Sequence, residues 1–371
     1  MPSAAGEGRG VSSRFPDFPW DTIAAAKQRA ADHPGGLVDL SIGTPVDPTP
    51  SAVREALVAA ADSPGYPTVL GPESVRRAAV DWLERRAGVT GLDTDQVLLT
   101  IGSKELIANL PTQLGLGPDQ TVVIPELAYP TYEVGARYAG CQVVAADSTV
   151  AMGPQSPSLV YLNSPANPHG KVLGPEHLRK VVQWARERGA LLVSDECYLE
   201  FGWEAEPLSV LHPDVCDGSH EGLLAVQSLS KRSNFAGYRG AFLAGDRDVV
   251  GELLAVRKHL GFMVPAPVQH AMAAALADDE HVRAQRTLYA ARRDALRKAL
   301  TGSGFTIDHS EASLYLWATR GEPCRQTIDW LAEHGILAAP GDFYGPRGAE
   351  HVRIAFTATD ERVEAAVSRL L

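Results

Sequence analysis

The sequence predicts an α/β protein in which a large domain, built on a mostly parallel seven-stranded sheet, is followed by a smaller α+β domain. From Leu37 to about Gly261, short apolar runs alternate with longer amphipathic segments. Strand and helix taking turns in this way implies a parallel sheet covered on both faces. After Pro265 the texture changes to an Ala/Arg-rich helical stretch followed by short strands. The chain has 371 residues, enough for two domains at roughly 100–200 residues each and for a core that needs no disulfide or metal staple.

Taken in order, residues 1–36 read as an N-terminal arm and helix. The first 15 or so residues are small, polar and Gly-rich, and Phe15, Phe18 and Trp20 precede a short helical stretch that Asp21 would cap. Aromatics on an arm need a surface to cover them, either a subunit interface or the protein's own second domain. Residues 37–265 read as the large domain, with strands at Val97–Ile101, Thr121–Ile124, Gln142–Ala145, Leu159–Leu162, Leu191–Ser194, Leu224–Gln227 and Ala241–Ala244. Helical patterns fall between them, among them Pro72–Arg86, which has Pro at its start and Gly88 beyond its end, and Pro175–Arg188. Residues 266–371 read as the smaller domain: a long helix over Val268–Leu300, strands at Phe305–Ile307, Leu314–Ala318 and Val352–Phe356, and a last helix from Asp360.

Composition removes several functions. The formal net charge is −11 and no Lys/Arg cluster stands out, which argues against a nucleic-acid partner. Cys141, Cys197, Cys216 and Cys324 are far apart, with no CxxC and no His at zinc-ligand spacing, so reduced buried thiols are expected and no metal site. The start of the chain lacks the pattern of a signal peptide, and no apolar run approaches a membrane span, so a cytoplasmic location is expected. Gly6-Glu7-Gly8-Arg9-Gly10 follows no strand and is not a dinucleotide fingerprint, while GxxxxGK[ST], GxSxG and HExxH are absent. Only seven of the 34 basic residues are Lys, so each Lys is informative.

Three segments carry the chemistry. Ser228-Leu229-Ser230-Lys231 follows an apolar strand, with Arg239 eight positions beyond the lysine. Ser194-Asp195-Glu196-Cys197-Tyr198 ends another strand with an acid, and Asn163-Ser164-Pro165-Ala166-Asn167-Pro168-His169-Gly170 leaves a third through a Pro-rich turn. In this order and at these separations they resemble the class I and II pyridoxal-phosphate-dependent aminotransferases of the aspartate aminotransferase fold family, fold type I, over nearly the whole chain.

The resemblance implies pyridoxal 5′-phosphate as cofactor and a role for each matching position. Lys231 would bond to the cofactor and, once displaced by substrate, act as general acid/base; burial beside cations keeps such an amine free at neutral pH. Asp195 would pair with the pyridine nitrogen, since a protonated ring is the electron sink. Tyr198 and Asn167 would bond the cofactor's 3′ oxygen, and Tyr129 would stack on its ring. Gly102, Ser103 and Lys104 stand where a helix N-terminus faces an anion, and with Ser228 and Arg239 they would hold the phosphate. Tyr66 would reach the phosphate of a neighbouring subunit, which makes the expected assembly a homodimer with shared sites. Arg353, alternating on a strand, would take the substrate α-carboxylate, near Gly43. His169 stands where Thr is usual and is expected near the site as an extra polar contact.

The stretches Gly102–Pro111 and Ser230–Asn234 are similar to the actinobacterial type of N-succinyl-diaminopimelate aminotransferase, a lysine-pathway enzyme. That likeness implies an amino group moving between glutamate/2-oxoglutarate and an N-succinyl-2-amino-6-oxo acid. Lys104 would meet a distal carboxylate, since a Lys at a helix N-terminus opposes the helix dipole and invites an anion. The other readings are an aspartate or aromatic aminotransferase of broad specificity, a β-lyase on the same scaffold, and a non-catalytic cofactor-binding regulatory protein. An acidic chain that takes acidic substrates must gather positive charge locally, and Lys104, Arg239 and Arg353 are where it is expected.

Overall fold

The computed structural model describes residue 15 and residues 17–153 and 156–371. The Gly-rich start, read as an arm, lies outside these residues. In chain order the strands are β1 (Val38–Asp39), β2 (Val97–Ile101), β3 (Thr121–Ile124), β4 (Gln142–Ala145), β5 (Leu159–Asn163), β6 (Leu191–Asp195), β7 (Leu223–Ser228) and β8 (Gly240–Gly245). Beyond them come β9 (Thr306–Asp308), β10 (Tyr315–Thr319), β11 (Ile336–Leu337), β12 (Ala339–Pro340) and β13 (His351–Ala355).

Strands β2 to β8 form one seven-stranded sheet in the order β2-β8-β7-β6-β5-β3-β4. Only β8 runs against its neighbours; the other pairs are parallel. Apolar alternation along the strands divides the core. Leu99, Val123, Val160, Leu192, Ala225 and Phe242 face the helices Glu73–Ala87 and Pro175–Glu187, while Leu98, Val122, Tyr161, Val193, Leu224 and Leu243 face Ser103–Gln113, Thr131–Tyr138 and Arg247–Leu260. The central β7 and β8 are buried along their whole length, and the edge strand β4 carries the exposed Gln142 and Ala145. Helix ends follow local chemistry. Asp246 caps Arg247–Leu260 by accepting from Asp248 N (2.9 Å) and Val249 N (3.1 Å), and Gly261 closes it at φ 71°.

Beyond the sheet, β12-β13-β10-β9 form an antiparallel sheet and β1 pairs with β11 in parallel. Their shared core draws on Ile23, Ala26, Ala30, Val38 and Leu40 from the N-terminal part of the chain, together with Leu296, Leu316, Ile354 and Phe356.

Two expectations are corrected. The single helix expected over Val268–Leu300 is two, Ala266–Ala277 and Glu280–Gly302, parted at Asp278-Asp279. The first packs Val268, Ala271, Met272 and Ala275 into the core of the large sheet. Asp21 caps no helix; it lies inside a 3₁₀ turn, Pro19–Ile23, that leads into Ala24–Ala31. Pro19 fits the first turn because its missing N–H would have had no helical partner there.

Candidate active site

A cavity of about 270 Å³ opens at the carboxyl ends of β5, β6 and β7, where open α/β sheets bind ligands. Parallel pairing sets Asn163 opposite Asp195, so the ends of β5 and β6 deliver their polar residues at one level. The expected residues Lys231, Asp195, Tyr198, Asn167, Ser228, Arg239, Tyr129, Ser103, Lys104, Arg353 and Gly43 all line this cavity.

Asp195 is buried at the cavity floor. Its Oδ2 accepts from the Tyr132 hydroxyl at 2.8 Å and its Oδ1 from Cys197 N at 3.2 Å. Burial pushes the carboxyl above the usual range, and those bonds only partly offset the shift. An uncompensated buried carboxylate favours a cationic partner.

Lys231 is the third residue of the short helix Leu229–Arg232, which Ser228 caps by accepting from Ser230 N at 3.2 Å. Its ammonium donates to the carbonyl of Gly43. Burial lowers its pKa, with Arg353 and Arg239 adding to the effect against Tyr315 and Cys197, the condition a reactive amine requires.

Arg353 on β13 is buried, with Nη1 donating to Asn167 Oδ1 (2.8 Å), Nη2 to Ser41 O (2.7 Å) and Nε without a partner. Arg239 donates to Ala236 O at 2.9 Å and faces Gly102, the residue before the helix Ser103–Gln113. A Cβ on Gly102 would fall 2.1 Å from Arg239 Nη2, and its φ is +79°, so only glycine allows this close approach. Lys104 Nζ lies 5.8 Å from the ring centroids of both Phe18 and Tyr129. Among the described residues, Lys104, Arg239 and Arg353 each lack an acidic partner. Three cations around one cavity, beside a buried acid and a free amine, suit an anionic cofactor and an anionic substrate.

Several lining residues had no strong signal in the sequence. Tyr132 sits three positions after Tyr129 in the helix Thr131–Tyr138, and this spacing could have placed both on one face. Tyr315 bonds Tyr198, hydroxyl to hydroxyl, at 2.8 Å; nothing local marks it. Trp20 lines the cavity and packs on Phe343 at 5.4 Å, so that part of the aromatic arm is covered by the chain's own C-terminal body. Tyr66 stays outside the cavity and is 95% exposed.

His169 is corrected. It turns away from the cavity, its Nδ1 accepting from Lys171 N at 3.1 Å and its ring 5.3 Å from that of His309. It lines a separate cavity on the far side of Asn163, and burial drops its pKa to about 3. The four cysteines are free, but Cys197 is part of the site wall and not a remote core thiol.

This sheet, with an amine, an acid and three cations lining the cavity at its carboxyl edge, is that of a pyridoxal-phosphate-dependent aminotransferase of the aspartate aminotransferase fold. The family model for aminotransferase class I and II matches residues 36–370, and the chain belongs to that family, whose cofactor is pyridoxal phosphate. A probable aminotransferase of Mycobacterium tuberculosis is 64% identical over 361 residues, 97% of this chain and 86% of its own. The 4-dedimethylamino-4-oxo-anhydrotetracycline transaminase OxyQ of Streptomyces rimosus is 57% identical, over 96% of this chain and 99% of its own. A solved probable N-succinyldiaminopimelate aminotransferase from Thermus thermophilus matches with a TM-score of 0.85 at 31% identity, over 95% of this chain and 99% of its own. Among the described residues no helix is long and apolar enough to cross a membrane.

Proposed function

We propose that this aminotransferase moves an amino group between glutamate/2-oxoglutarate and an N-succinyl-2-amino-6-oxo acid, in the cytoplasm and as a homodimer. The observation that carries this reading is the set of three cations without acidic partners around the cavity. Arg239, with the N–H groups of the Ser103 helix start, Ser228 and Ser230, holds the cofactor phosphate. Arg353 takes the substrate α-carboxylate, its unpartnered Nε being a donor still to be satisfied. Lys104, at the rim, meets the second carboxylate that glutamate and a succinylated acceptor share.

Pyridoxal phosphate, when bound, supplies the electron sink for the carbanion formed at the substrate Cα. Asp195 would pair with its pyridine nitrogen, Tyr198 and Asn167 would bond its 3′ oxygen, with Asn167 also accepting from Arg353, and Tyr129 would stack on its ring. With the cofactor bound, the Lys231 amine, whose pKa burial lowers, would take up the proton that leaves the substrate Cα. Glutamate leaves as 2-oxoglutarate, and the amino group it donated then passes to the oxo acid. The exposed Tyr66 side chain would complete the phosphate site of a second subunit.

A second reading has its own support. The rim is aromatic, with Phe18, Trp20 and Tyr129 around Lys104, the Trp20 indole N–H has no partner, and OxyQ acts, by its name, on a polycyclic ketone. A bulky cyclic or aromatic acceptor would bury its rings there. The test of the common core is a half-reaction: glutamate added to loaded enzyme should bleach the lysine-bound cofactor absorbance and release one 2-oxoglutarate per site. An unchanged spectrum, or a Lys231→Ala variant with normal turnover, would sink it.

A further inference from the structure

A second cavity, of about 270 Å³, lies behind Asn163 at the carboxyl ends of β3, β4 and β5, on the face of the sheet that Pro175–Glu187 covers. Its size is just under the usual span of small-molecule sites, roughly 300–1,000 Å³. Asn163 is the residue common to the walls of this cavity and of the reaction centre. Its side-chain amide is engaged at both atoms: Nδ2 donates to Asp195 O (2.9 Å) and Pro165 O (3.1 Å), and Oδ1 accepts from Asn167 N (2.7 Å). Asn163 is therefore a partition between two separate spaces.

Most of the wall is apolar, with Leu127, Met152, Leu162, Val172, Leu173 and Val181 among the lining side chains. The basic groups are His169, Lys171 and His177, close enough together that the Lys171 charge helps to lower the pKa of both imidazoles. His169 Nδ1 accepts from Lys171 N at 3.1 Å. Burial keeps that ring neutral, so its proton sits on Nε2, which has no partner among the described residues. Lys171 has no acidic partner among the described residues either. The acid of the wall, Asp147, is engaged elsewhere: Oδ1 accepts from Glu126 N at 2.9 Å and Oδ2 lies 3.7 Å from Arg347 Nη1. What remains for a guest is a neutral donor and a positive charge beside an apolar bed. A neutral ketone or alcohol would leave the ammonium unmatched, and an amino acid would bring a second ammonium into an apolar space without an acid to meet it.

We propose that this cavity is a second ligand site, for a monocarboxylate with an apolar body of about ten non-hydrogen atoms. The carboxylate takes the His169 Nε2–H and the Lys171 ammonium, since charge-assisted hydrogen bonds are the stronger kind. The body lies against Met152, Leu162 and Val181. Such a ligand is unlike the substrates of the proposed reaction, which carry an amino or oxo group and a second carboxylate. It sits out of the path of glutamate and binds alongside it, not in its place. None of the residues that would hold it is a cofactor or substrate contact in the reading above.

Holoenzyme saturated with glutarate, a dicarboxylate that has no amino group to transfer, is titrated by calorimetry with 3-phenylpropionate. One molecule per chain should bind, with a Kd of about 1 mM or tighter. The alcohol 3-phenylpropanol keeps the body and drops the charge, and should bind roughly tenfold more weakly. Lys171→Ala should weaken binding of the acid by the same factor, roughly tenfold, the loss of one charged hydrogen bond. Met152→Trp, which puts a larger side chain into the cavity, should abolish binding while transamination of glutamate keeps its rate. Lys171 is exposed, so its variant carries the test should the tryptophan variant not fold. No binding event, equal affinity for acid and alcohol, displacement of 3-phenylpropionate by glutarate, or undiminished binding in Lys171→Ala overturns the site.

Discussion

The Tyr132 hydroxyl donates to Oδ2 of Asp195 at 2.8 Å, with both side chains buried. The bond holds the acid on the cavity floor, from which it can meet a ring nitrogen. Tyr132→Phe keeps the ring packing and leaves one carboxylate oxygen without its donor, a loss of about 1–3 kcal/mol. Cofactor retention on dialysis, followed by absorbance, should fall roughly 5- to 100-fold in affinity while the fold persists. Retention equal to wild type would show that the bond does not orient Asp195.

Asp195 itself should display a trade between stability and function. Its carboxyl is raised by burial. A group whose folded pKa lies above its unfolded one binds its proton more tightly when folded, so it costs stability at pH values above the folded pKa, and the cost disappears as pH falls below the unfolded value. Asp195→Asn should therefore raise the melting temperature of the cofactor-free protein near neutral pH and have no such benefit in acid. The same variant should lose transamination on the order of a hundred- to a thousandfold. A cofactor-free Asp195→Asn protein that melts lower at neutral pH contradicts this account.

Gly102→Ala asks whether Arg239 is a phosphate ligand. The added methyl would strike the guanidinium and would sit on a backbone at φ +79°, so local strain of about 1–2 kcal/mol is expected. Cofactor dissociation, measured by fluorescence, should quicken at least tenfold, with circular dichroism unchanged. Unaltered dissociation would separate Arg239 from the phosphate.

Arg353→Lys keeps the charge but loses the planar fork. It should raise the KM for glutamate roughly 10- to 100-fold with cofactor content intact. An unchanged KM would move the α-carboxylate elsewhere.

How much of this was legible in the sequence depended on whether the cause was local. The strands of the large sheet are apolar runs such as Leu223–Ser228, buried throughout, and runs of that kind announce themselves. The site residues that end strands or open helices, Asp195, Ser228 and Ser103, were legible through the resemblance that their segments carry, and a parallel sheet brings such strand ends to one edge. Tyr315 was not, since its partners Tyr198 and Arg353 are 117 and 38 positions away and Leu314–Ala318 reads as an ordinary apolar strand. The break at Asp278-Asp279 was missed because the helical pattern continues on both sides; it is packing against the large sheet, through Met272 and Ala275, that turns the first helix away. His169 was misplaced because proximity along the chain to Asn167 says nothing about which side of a turn a side chain takes.

In the proposed function Arg353 and Lys104 hold the two carboxylates of the substrate, while Arg239 holds the cofactor phosphate. The most direct measurement is the acceptor profile of the holoenzyme with glutamate as donor, in wild type and Lys104→Ala. The value of kcat/KM for the N-succinyl-2-amino-6-oxo acid should exceed that for phenylpyruvate and for bulky cyclic ketones. Lys104→Ala should lower kcat/KM for the succinylated acceptor about tenfold, a salt-bridge-sized loss, and leave phenylpyruvate unaffected. A preference for the aromatic or cyclic ketones that survives in Lys104→Ala would contradict the proposed function and favour the aromatic rim as the specificity element.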